Sequence, residues 1–385
     1  RAWHRLSFFG GEVMVAPKLR FKEFDGDWCT LKYKDVLTIK YGKDHKLLNE
    51  GVFPVYGTGG IMRYADQYLH DGESILIGRK GTIDQPKYVN EKFWTVDTLF
   101  YTQIKDNSIP LFLYQHALQV NWLGLNEATG VPSLNTTSIN NVDISLPSKE
   151  EQTKIASFLS AVDEKISQLS QKLHLLGQYK QGMMQKLFSQ QIRFKADDGS
   201  EFGEWEETTL GEIVQIKSGY SPSKYDLKST GIIPFLKVEE LNNCIKFQRQ
   251  SRFYVNESSN DLVFKNSIVF PKRGAAILTN KVRILEVNSL LDSNLMALIP
   301  SHKVFYEYLY YVITFIELFK IADTSSIPQI NNKHIEPYSL ELPCLEEQTK
   351  IANFLSAIDH KIEVVAQQIE QAKTWKKGLL QQMFV

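Results

Sequence analysis

Cysteine is scarce in this 385-residue sequence, which contains only Cys29, Cys244 and Cys344. Three widely separated cysteines are too few for a disulfide framework or a zinc knuckle, so a reducing compartment fits best. A long hydrophobic run is also missing, because charged residues interrupt the most apolar window, residues 304–322. These two absences predict a cytoplasmic protein without a membrane span.

An excess of charge of either sign is missing too, since 44 Lys and Arg residues balance 44 Asp and Glu residues. The common catalytic signatures do not occur. There is no P-loop, no His-Glu-x-x-His zinc motif and no Gly-x-Ser-x-Gly nucleophile elbow. No Pro-Pro dipeptide or Glu-x-Lys pair occurs, and the 8 His residues lack metal-ligand spacing. We therefore predict a protein that is not an enzyme, with no catalytic residues, metal or cofactor of its own.

What the sequence does contain is an internal repeat. Residues 146–166 recur as residues 342–362, with an offset of 196 and 16 identities among 21 positions. The match returns in residues 180–188 and 376–384. Repeats of this length define the organisation of a chain before any local pattern does.

Weaker repeats precede each copy of this segment. They are residues 28–42 with 205–219, 74–81 with 267–274, and 131–135 with 327–331. The chain is therefore predicted to hold two diverged globular domains, each followed by a nearly identical helical segment. The predicted boundaries are a leader at residues 1–16, a first domain at 17–145, a first helical spacer at 146–192, a second domain at 193–341 and a second spacer at 342–385. Residues 1–13, before Met14, are expected to be an extension outside the fold.

Both helical segments carry apolar residues at alternating spacings of four and three, the pattern of a coiled coil. The predicted seam consists of Ile155, Leu159, Val162, Ile166, Leu169 and Leu173 in the first segment, and Ile351, Leu355, Ile358, Ile362, Val365 and Ile369 in the second. Lys180 and Lys376 occupy the same seam position, and Ser148 with Glu151 predicts a capping box. Two such helices, each following a similar domain, predict an antiparallel pair in a pseudo-twofold molecule.

Short runs of β-branched and aromatic residues in each domain, such as residues 73–77 and 267–270, predict strands between turns. One helix is predicted in each domain, at residues 110–122 and 306–321. The expected fold class is therefore α+β, with two globular domains joined by a long two-helix coiled coil.

Local basic turns are the candidate binding elements, because neither domain is basic overall. The turns Gly-Arg-Lys-Gly at 78–81 and Pro-Lys-Arg-Gly at 271–274 match each other, as do residues 41–43 and 217–220. Adjacent cations in a glycine turn can meet phosphates or guanine edges. A solvated turn without any DNA contact is the alternative. The candidate DNA-binding residues are Lys43, Arg79, Lys80, Lys217, Tyr220, Lys272 and Arg273.

The whole arrangement resembles the DNA specificity subunit of type I restriction–modification enzymes. The resemblance covers about residues 17–385 and is carried by the doubled Leu-Pro-x-x-Glu-Glu-Gln-x-Lys-Ile-Ala segment. The repeat at 180–188, the domain starts at Trp28 and Trp205, and the turn at 74–81 add to it.

The resemblance implies that each globular domain is a target recognition domain for one half of a bipartite double-stranded DNA sequence. The helices would set the half-site spacing and dock two methyltransferase subunits. Those subunits would bind S-adenosylmethionine for adenine methylation, and restriction subunits that use ATP and Mg would join the complex. The alternative is a coiled-coil protein-binding adaptor without DNA readout.

Overall fold

A computed structural model describes residues 8–9, 12–13, 16–257, 259–325 and 327–384. The chain forms two compact units. Unit 1 contains Arg1–Lys172 and Val365–Val385, and unit 2 contains Leu173–Val364. Each unit therefore combines one globular domain with the first part of one long helix and the last part of the other. No helix among these residues is both long and apolar enough to cross a membrane.

Unit 1 is built around a six-stranded sheet. The strands of unit 1 as a whole are β1 (Phe8–Phe9), β2 (Glu12–Val13), β3 (Cys29–Lys32), β4 (Leu37–Tyr41), β5 (Phe53–Gly57), β6 (Gly60–Ala65), β7 (His70–Gly78), β8 (Lys87–Thr95), β9 (Leu99–Ile104) and β10 (Asp143–Leu146). Its helices are α1 (Tyr33–Val36), α2 (Pro110–Ala117), α3 (Thr136–Asn140) and the beginning of α4 (Lys149–Phe188). The sheet order is β4-β9-β7-β8-β5-β6, in which only β5 and β8 are parallel. Of the predicted leader, residues 1–16, the structure describes only the paired β1 and β2 and Ala16.

Unit 2 contains a five-stranded sheet of order β12-β19-β16-β17-β14 and a three-stranded sheet of order β15-β13-β18. Its strands are β11 (Glu206–Thr209), β12 (Val214–Ser218), β13 (Ile233–Leu236), β14 (Phe247–Gln248), β15 (Tyr254–Val255), β16 (Ile268–Pro271), β17 (Arg283–Leu285), β18 (Leu290–Leu291), β19 (Leu295–Pro300) and β20 (Ser339–Leu342). Its helices are α5 (Leu210–Ile213), α6 (Tyr306–Ile316), α7 (Leu318–Ile321), α8 (Asn332–Ile335) and the beginning of α9 (Leu345–Met383).

The domain helices are shorter than predicted. The helix predicted over residues 110–122 ends at Ala117, whose carbonyl accepts the indole N–H of Trp122 at 2.8 Å. That contact satisfies one of the carbonyls that a helix end leaves unpaired. A 3₁₀ turn, Trp122–Leu125, follows.

The helix predicted over residues 306–321 is divided at Glu317, which has a left-handed φ of 61°. The side chain of Asn280 bridges the break. Its Nδ2 donates to the Thr314 carbonyl at 2.9 Å, and its Oδ1 accepts the Leu318 N–H at 3.0 Å. A side chain from another element therefore satisfies the two backbone groups that the break exposes.

The long helices are antiparallel within each unit. In unit 1 the Leu19 N–H donates to the Gln382 carbonyl near the end of α9, while the adjacent Arg20 pairs with Glu151 near the start of α4. In unit 2 Lys180, near the end of α4, pairs with Asp359 of α9 at 2.5 Å. The predicted α+β class with a long antiparallel helix pair is confirmed.

The seam side chains of both helices face apolar surroundings. Those with little exposure are Ile155, Leu159, Val162, Leu169, Ile351, Leu355, Ile358, Val365 and Ile369. Ile166, Leu173 and Ile362 are half-buried. In each unit the first half of the seam, residues 155–166 or 351–362, also belongs to the same apolar core as the globular domain, so this part of the helices does not pack independently. Burial of each large aliphatic side chain contributes roughly 1.5–3 kcal/mol to this joint core.

Candidate nucleic-acid interface

In each unit an edge strand of the large sheet ends close to the backbone of another segment, and a glycine makes this close approach possible. Gly42 follows β4 and donates its N–H to the Leu99 carbonyl at 3.0 Å. A Cβ atom on Gly42 would lie 2.0 Å from the Val96 carbonyl oxygen. The corresponding Gly219 follows β12, and its Cβ would lie 2.1 Å from the Asp292 carbonyl oxygen. Both positions therefore require glycine for close backbone contact.

The basic turn of unit 1 is bonded to a second repeated segment. The Leu134 N–H donates to the Arg79 carbonyl at 2.9 Å, and the Gly81 N–H donates to the Pro132 carbonyl at 2.9 Å. The turn after β7 and the segment before α3 therefore run side by side, although about fifty residues separate them in sequence.

Unit 2 builds the same assembly from its own copies. The Ile330 N–H donates to the Lys272 carbonyl at 2.9 Å, and the Gly274 N–H donates to the Pro328 carbonyl at 2.8 Å. The residue before each proline projects into solvent, with Val131 67% and Ile327 72% exposed. Two sequence repeats found independently thus form one surface element in each unit, which we call the turn–loop pair (residues 79–81 with 132–134, and 272–274 with 328–330).

The head group of Arg79 has two contacts within unit 1. Its guanidinium carbon lies 5.5 Å from the ring centroid of Tyr41, and Nη1 donates to the Asp97 carbonyl at 3.0 Å. Lys80 and Lys43 are exposed beside it. The structure thus places three of the predicted residues at one edge. Tyr41, whose ring is 53% exposed, lies there too; it belongs to the repeated segment 41–43 but was not among the candidate DNA-binding residues.

The predicted residues of unit 2 have unequal surroundings. Arg273 is exposed. Burial, followed by the charge of Arg273, lowers the pKa of the half-buried Lys272. Tyr220 is 43% exposed, and the ammonium of Lys224 lies 3.8 Å from its ring centroid. Lys224 was missed because it belongs to no sequence repeat.

Lys217 has an internal role. Its ammonium donates to the carbonyls of Asn260 and Leu262, at 3.1 and 3.0 Å. These bonds tie β12 to the loop before β16. Because its donors point into the fold, Lys217 offers less to a nucleic acid than its sequence position indicated.

The repeated Glu-Glu-Gln motif joins each domain to its helix. In unit 1 Arg20 donates through Nε and Nη2 to both carboxylate oxygens of Glu151, each at 2.7 Å. This fork-to-carboxylate geometry is among the strongest of side-chain contacts. The predicted capping box is therefore only half formed: the Ser148 hydroxyl accepts the Glu151 N–H at 3.3 Å, but the Glu151 carboxylate is engaged by Arg20.

In unit 2 the corresponding Glu347 holds one partner more. It accepts Nη2 of Arg193 at 2.8 Å and the indole N–H of Trp205 at 3.0 Å. The following glutamine clamps the start of the domain helix in both units. Gln152 accepts the Ile109 N–H at 2.9 Å, and Gln348 accepts the Phe305 N–H at 2.8 Å. The motif was predicted from its repetition, but its contacts were not.

The two seam lysines, Lys180 and Lys376, each form an ion pair with an aspartate on the opposite long helix. Lys376 pairs with Asp163 at 2.6 Å in unit 1, and Lys180 pairs with Asp359 at 2.5 Å in unit 2. Both lysines and both aspartates are 196 positions apart in the repeat. The polar seam position is therefore an inter-helix ion pair present once in each unit.

Comparison with known proteins agrees with this arrangement. The family model described as "Type I restriction modification DNA specificity domain" matches residues 25–176 and 203–374. The chain is 26% identical over 409 residues to the type I restriction enzyme MjaVIII specificity subunit of Methanocaldococcus jannaschii, covering 94% of both sequences. It is 24% identical over 323 residues to the putative specificity subunit S.HindORF215P of Haemophilus influenzae, covering 80% of both.

Solved structures share the fold. The crystal structure of a type I restriction–modification S subunit from M. genitalium superposes with a TM-score of 0.64 at 18% identity, over 96% of this chain and 99% of that one. A second chain, from a structural study of complex assembly in a type I system, gives a TM-score of 0.55 at 14% identity, over 92% and 96%. Because the family model matches one segment in each half, and together these cover most of the sequence, this chain belongs to the type I restriction–modification DNA specificity family.

Proposed function

We propose that this chain is the non-catalytic DNA sequence-specificity subunit of a type I restriction–modification enzyme. Each domain acts as a target recognition domain for one half of a bipartite double-stranded DNA target. The turn–loop pair is the observation that carries this proposal. It is built at the same strand ends in two domains that have otherwise diverged, and it presents exposed cations in both. A conserved frame with different side chains suits two different half-sites.

The long helices are proposed to set the half-site spacing and to dock two methyltransferase subunits. Apolar side chains on the outer helix surfaces support docking. Leu175 and Tyr179 of α4 are 54% and 51% exposed, and Trp375 of α9 is 53% exposed. Leu175 and Tyr179 are four residues apart and therefore lie on one face of α4. Exposed apolar patches are found at protein interfaces. S-adenosylmethionine would bind to the methyltransferase subunits, and ATP and Mg to restriction subunits of the full complex.

The test is co-expression of the chain with the methyltransferase subunit encoded beside it, followed by sequencing of modified adenines in the host DNA. We expect one split motif with a fixed gap. A stable complex that modifies no motif would contradict the proposal and favour an adaptor role without DNA readout.

Paired variants assign the half-sites. Arg79→Ala with Lys80→Ala should weaken recognition of one half-site only. The matched change in unit 2, Lys272→Ala with Arg273→Ala, should weaken the other. If both pairs affect the same half-site, or neither affects any, the turn–loop pairs are not the recognition elements.

Helix length is tested separately. One heptad added to both α4 and α9 keeps the seam in register. It lengthens each helix by about 10 Å, or about three base pairs of duplex. The tolerated gap between half-sites should grow accordingly, and an unchanged gap would refute the spacing role.

A further inference from the structure

Arg79 is held at both its backbone and its head group, whereas Lys272 has the two equivalent backbone hydrogen bonds but no hydrogen bond or ring contact at its ammonium among the described residues. The backbone of Arg79 is fixed on both sides, because its N–H donates to the Thr98 carbonyl at 2.8 Å and its carbonyl accepts the Leu134 N–H at 2.9 Å. Its head group is fixed as well, by the Tyr41 ring and the Asp97 carbonyl. An arginine side chain ordinarily loses considerable rotamer entropy when it binds. Here the hydrogen bond and the ring contact meet part of that cost within the fold.

The remaining donors of the guanidinium are available. An arginine carries five N–H donors in a rigid plane. Among the residues that the structure describes, the Arg79 head group makes a single hydrogen bond, to Asp97. A groove of about 590 Å³ opens beside it, and the Asp97 and Thr98 that anchor Arg79 line its wall. The other lining residues are Asp44, His45, Lys46, Gly57, Thr58, Gly59, Met62 and Val96.

The corresponding position of unit 2 cannot supply the same group. Lys272 replaces Arg79, and its half-buried ammonium has a lowered pKa because of burial and the adjacent Arg273. A lysine is a point charge on a flexible stem, whereas an arginine presents parallel donors that match a pair of acceptors. The two units therefore carry their two cations in opposite order, so that unit 2 has its arginine, Arg273, one position later in the turn.

We propose that Arg79 recognises a guanine in the half-site of unit 1. Two parallel N–H groups donate to O6 and N7 of that base in the major groove, the bidentate pairing that guanine alone offers. Tyr41 is a positioning residue that holds the plane of the guanidinium, and the neighbouring Lys80 contacts phosphate. This inference rests on the proposed function and assigns one base class within it.

The test uses the complex of this chain with its methyltransferase subunits and the target motif found by adenine sequencing. Each guanine of the half-site assigned to unit 1 is replaced in turn by 7-deazaguanine, which lacks the N7 acceptor. At one position we expect wild-type binding to fall about tenfold to a hundredfold. Arg79→Met, whose side chain has no hydrogen-bond donor, should bind the natural and the 7-deaza duplex with nearly equal affinity, because the N7 acceptor then has no partner to lose. Tyr41→Phe should retain discrimination, and Tyr41→Ala should lose most of it.

Lys80→Ala is the matched control, since it should weaken all duplexes equally. The inference is overturned if that half-site contains no guanine, or if 7-deazaguanine weakens wild type and Arg79→Met by the same factor. Those outcomes leave a bipartite motif intact and so spare the proposed function. A complex without any sequence preference would instead refute the proposed function itself, and this inference with it.

Discussion

Unit 1 and unit 2 support the same helix pair with different polar side chains. In unit 2 Lys246, only 8% exposed, donates to Glu307 at 2.7 Å, to the Tyr311 hydroxyl at 3.0 Å and to Ser356 at 3.1 Å. Tyr311 in turn donates to Asp359 at 2.6 Å. Burial and then the Asp359 charge raise the pKa of Tyr311, which keeps this hydroxyl protonated as a donor.

Among the described residues of unit 1, no domain lysine takes this place beneath the helix pair. Gln115 stands at the position of Tyr311 and donates through Nε2 to Asp163 at 3.0 Å, while Leu111 stands at the position of Glu307. Within the described part of the chain, Gln115 Oε1 and Ser160 Oγ are buried without a hydrogen-bond partner. The ion pair between the helices is therefore present in both units, whereas the domain side chains that contact its aspartate differ between the units.

The largest expected effect concerns the buried glutamates of the domain–helix junction. Glu347→Gln should lower the free energy of unfolding of unit 2 by about 3–5 kcal/mol, because Arg193 is left without its charged partner. Glu151→Gln should cost unit 1 less, since Glu151 binds Arg20 but not Trp28, whose indole N–H lacks a partner among the described residues. Native-state hydrogen exchange measures each unit separately.

The exposed neighbour Glu346 supplies the control for this comparison. Glu346→Gln should change stability by less than about 0.5 kcal/mol. Equal losses for Glu151→Gln and Glu347→Gln would show that the extra bond from Trp205 has no energetic weight.

The second prediction removes the lysine that distinguishes unit 2. Lys246→Met should destabilise unit 2 by about 2–4 kcal/mol, because Glu307, with a side chain 16% exposed, then lacks its cation. Adding Glu307→Leu imitates unit 1 and should recover at least half of the loss. The stability of unit 2 in each variant is measured by denaturant unfolding, with hydrogen exchange of unit 2 amides as the readout. A double variant as unstable as Lys246→Met would contradict this account.

The third prediction concerns pH and affects unit 1 alone. Burial lowers the pKa of His116 to about 4, and its Nδ1 lies 2.9 Å from the Tyr33 hydroxyl. An unfolded histidine has a pKa of about 6.5, so the unfolded chain binds a proton that the native unit does not. Unit 1 should therefore lose about 2 kcal/mol of stability between about pH 7 and about pH 5. Unit 2 carries Val312 and Leu210 at the equivalent positions.

Replacing the pair as unit 2 has it, with His116→Val and Tyr33→Leu, should flatten this pH dependence. Hydrogen exchange of unit 1 at the two pH values provides the measurement. An unchanged slope in the double variant would mean that another group is responsible for the acid sensitivity.

The smallest effect is expected at the inter-helix ion pairs. The carboxylates of Asp163 and Asp359 are 39% and 21% exposed, so solvent screens both pairs. Asp163→Asn should cost about 0.5–1 kcal/mol in unit 1. Asp359→Asn should cost somewhat more in unit 2, because it also weakens the bond from Tyr311. Added salt should reduce both differences. A loss above about 3 kcal/mol at either position would show that these pairs are effectively buried.

The long helices could be predicted from local sequence patterns. Heptad spacing is a property of neighbouring turns, so α4 and α9 could be predicted without knowledge of the rest of the fold. The ends of α2 and α6 could not, because Trp122 and Asn280 determine them by folding back onto the helix ends. Arg79 and Lys80 could be identified as a pair of cations from the sequence, because they are adjacent within a single turn. The internal bonds of Lys217 depend on a loop more than forty residues away.

The sequence by itself determined that this chain has two diverged domains, each with a long helix, and that basic turns recur in both. These features are encoded in periodicity and repetition, which survive divergence as long as the buried seam is kept. Only the tertiary structure decided that the basic turn and the proline segment form one element, that Glu151 and Glu347 anchor arginines, and that Lys246 lies beneath the helix pair. Those contacts join residues distant in sequence, and a charged side chain carries no local mark of the partner that folding will bring to it.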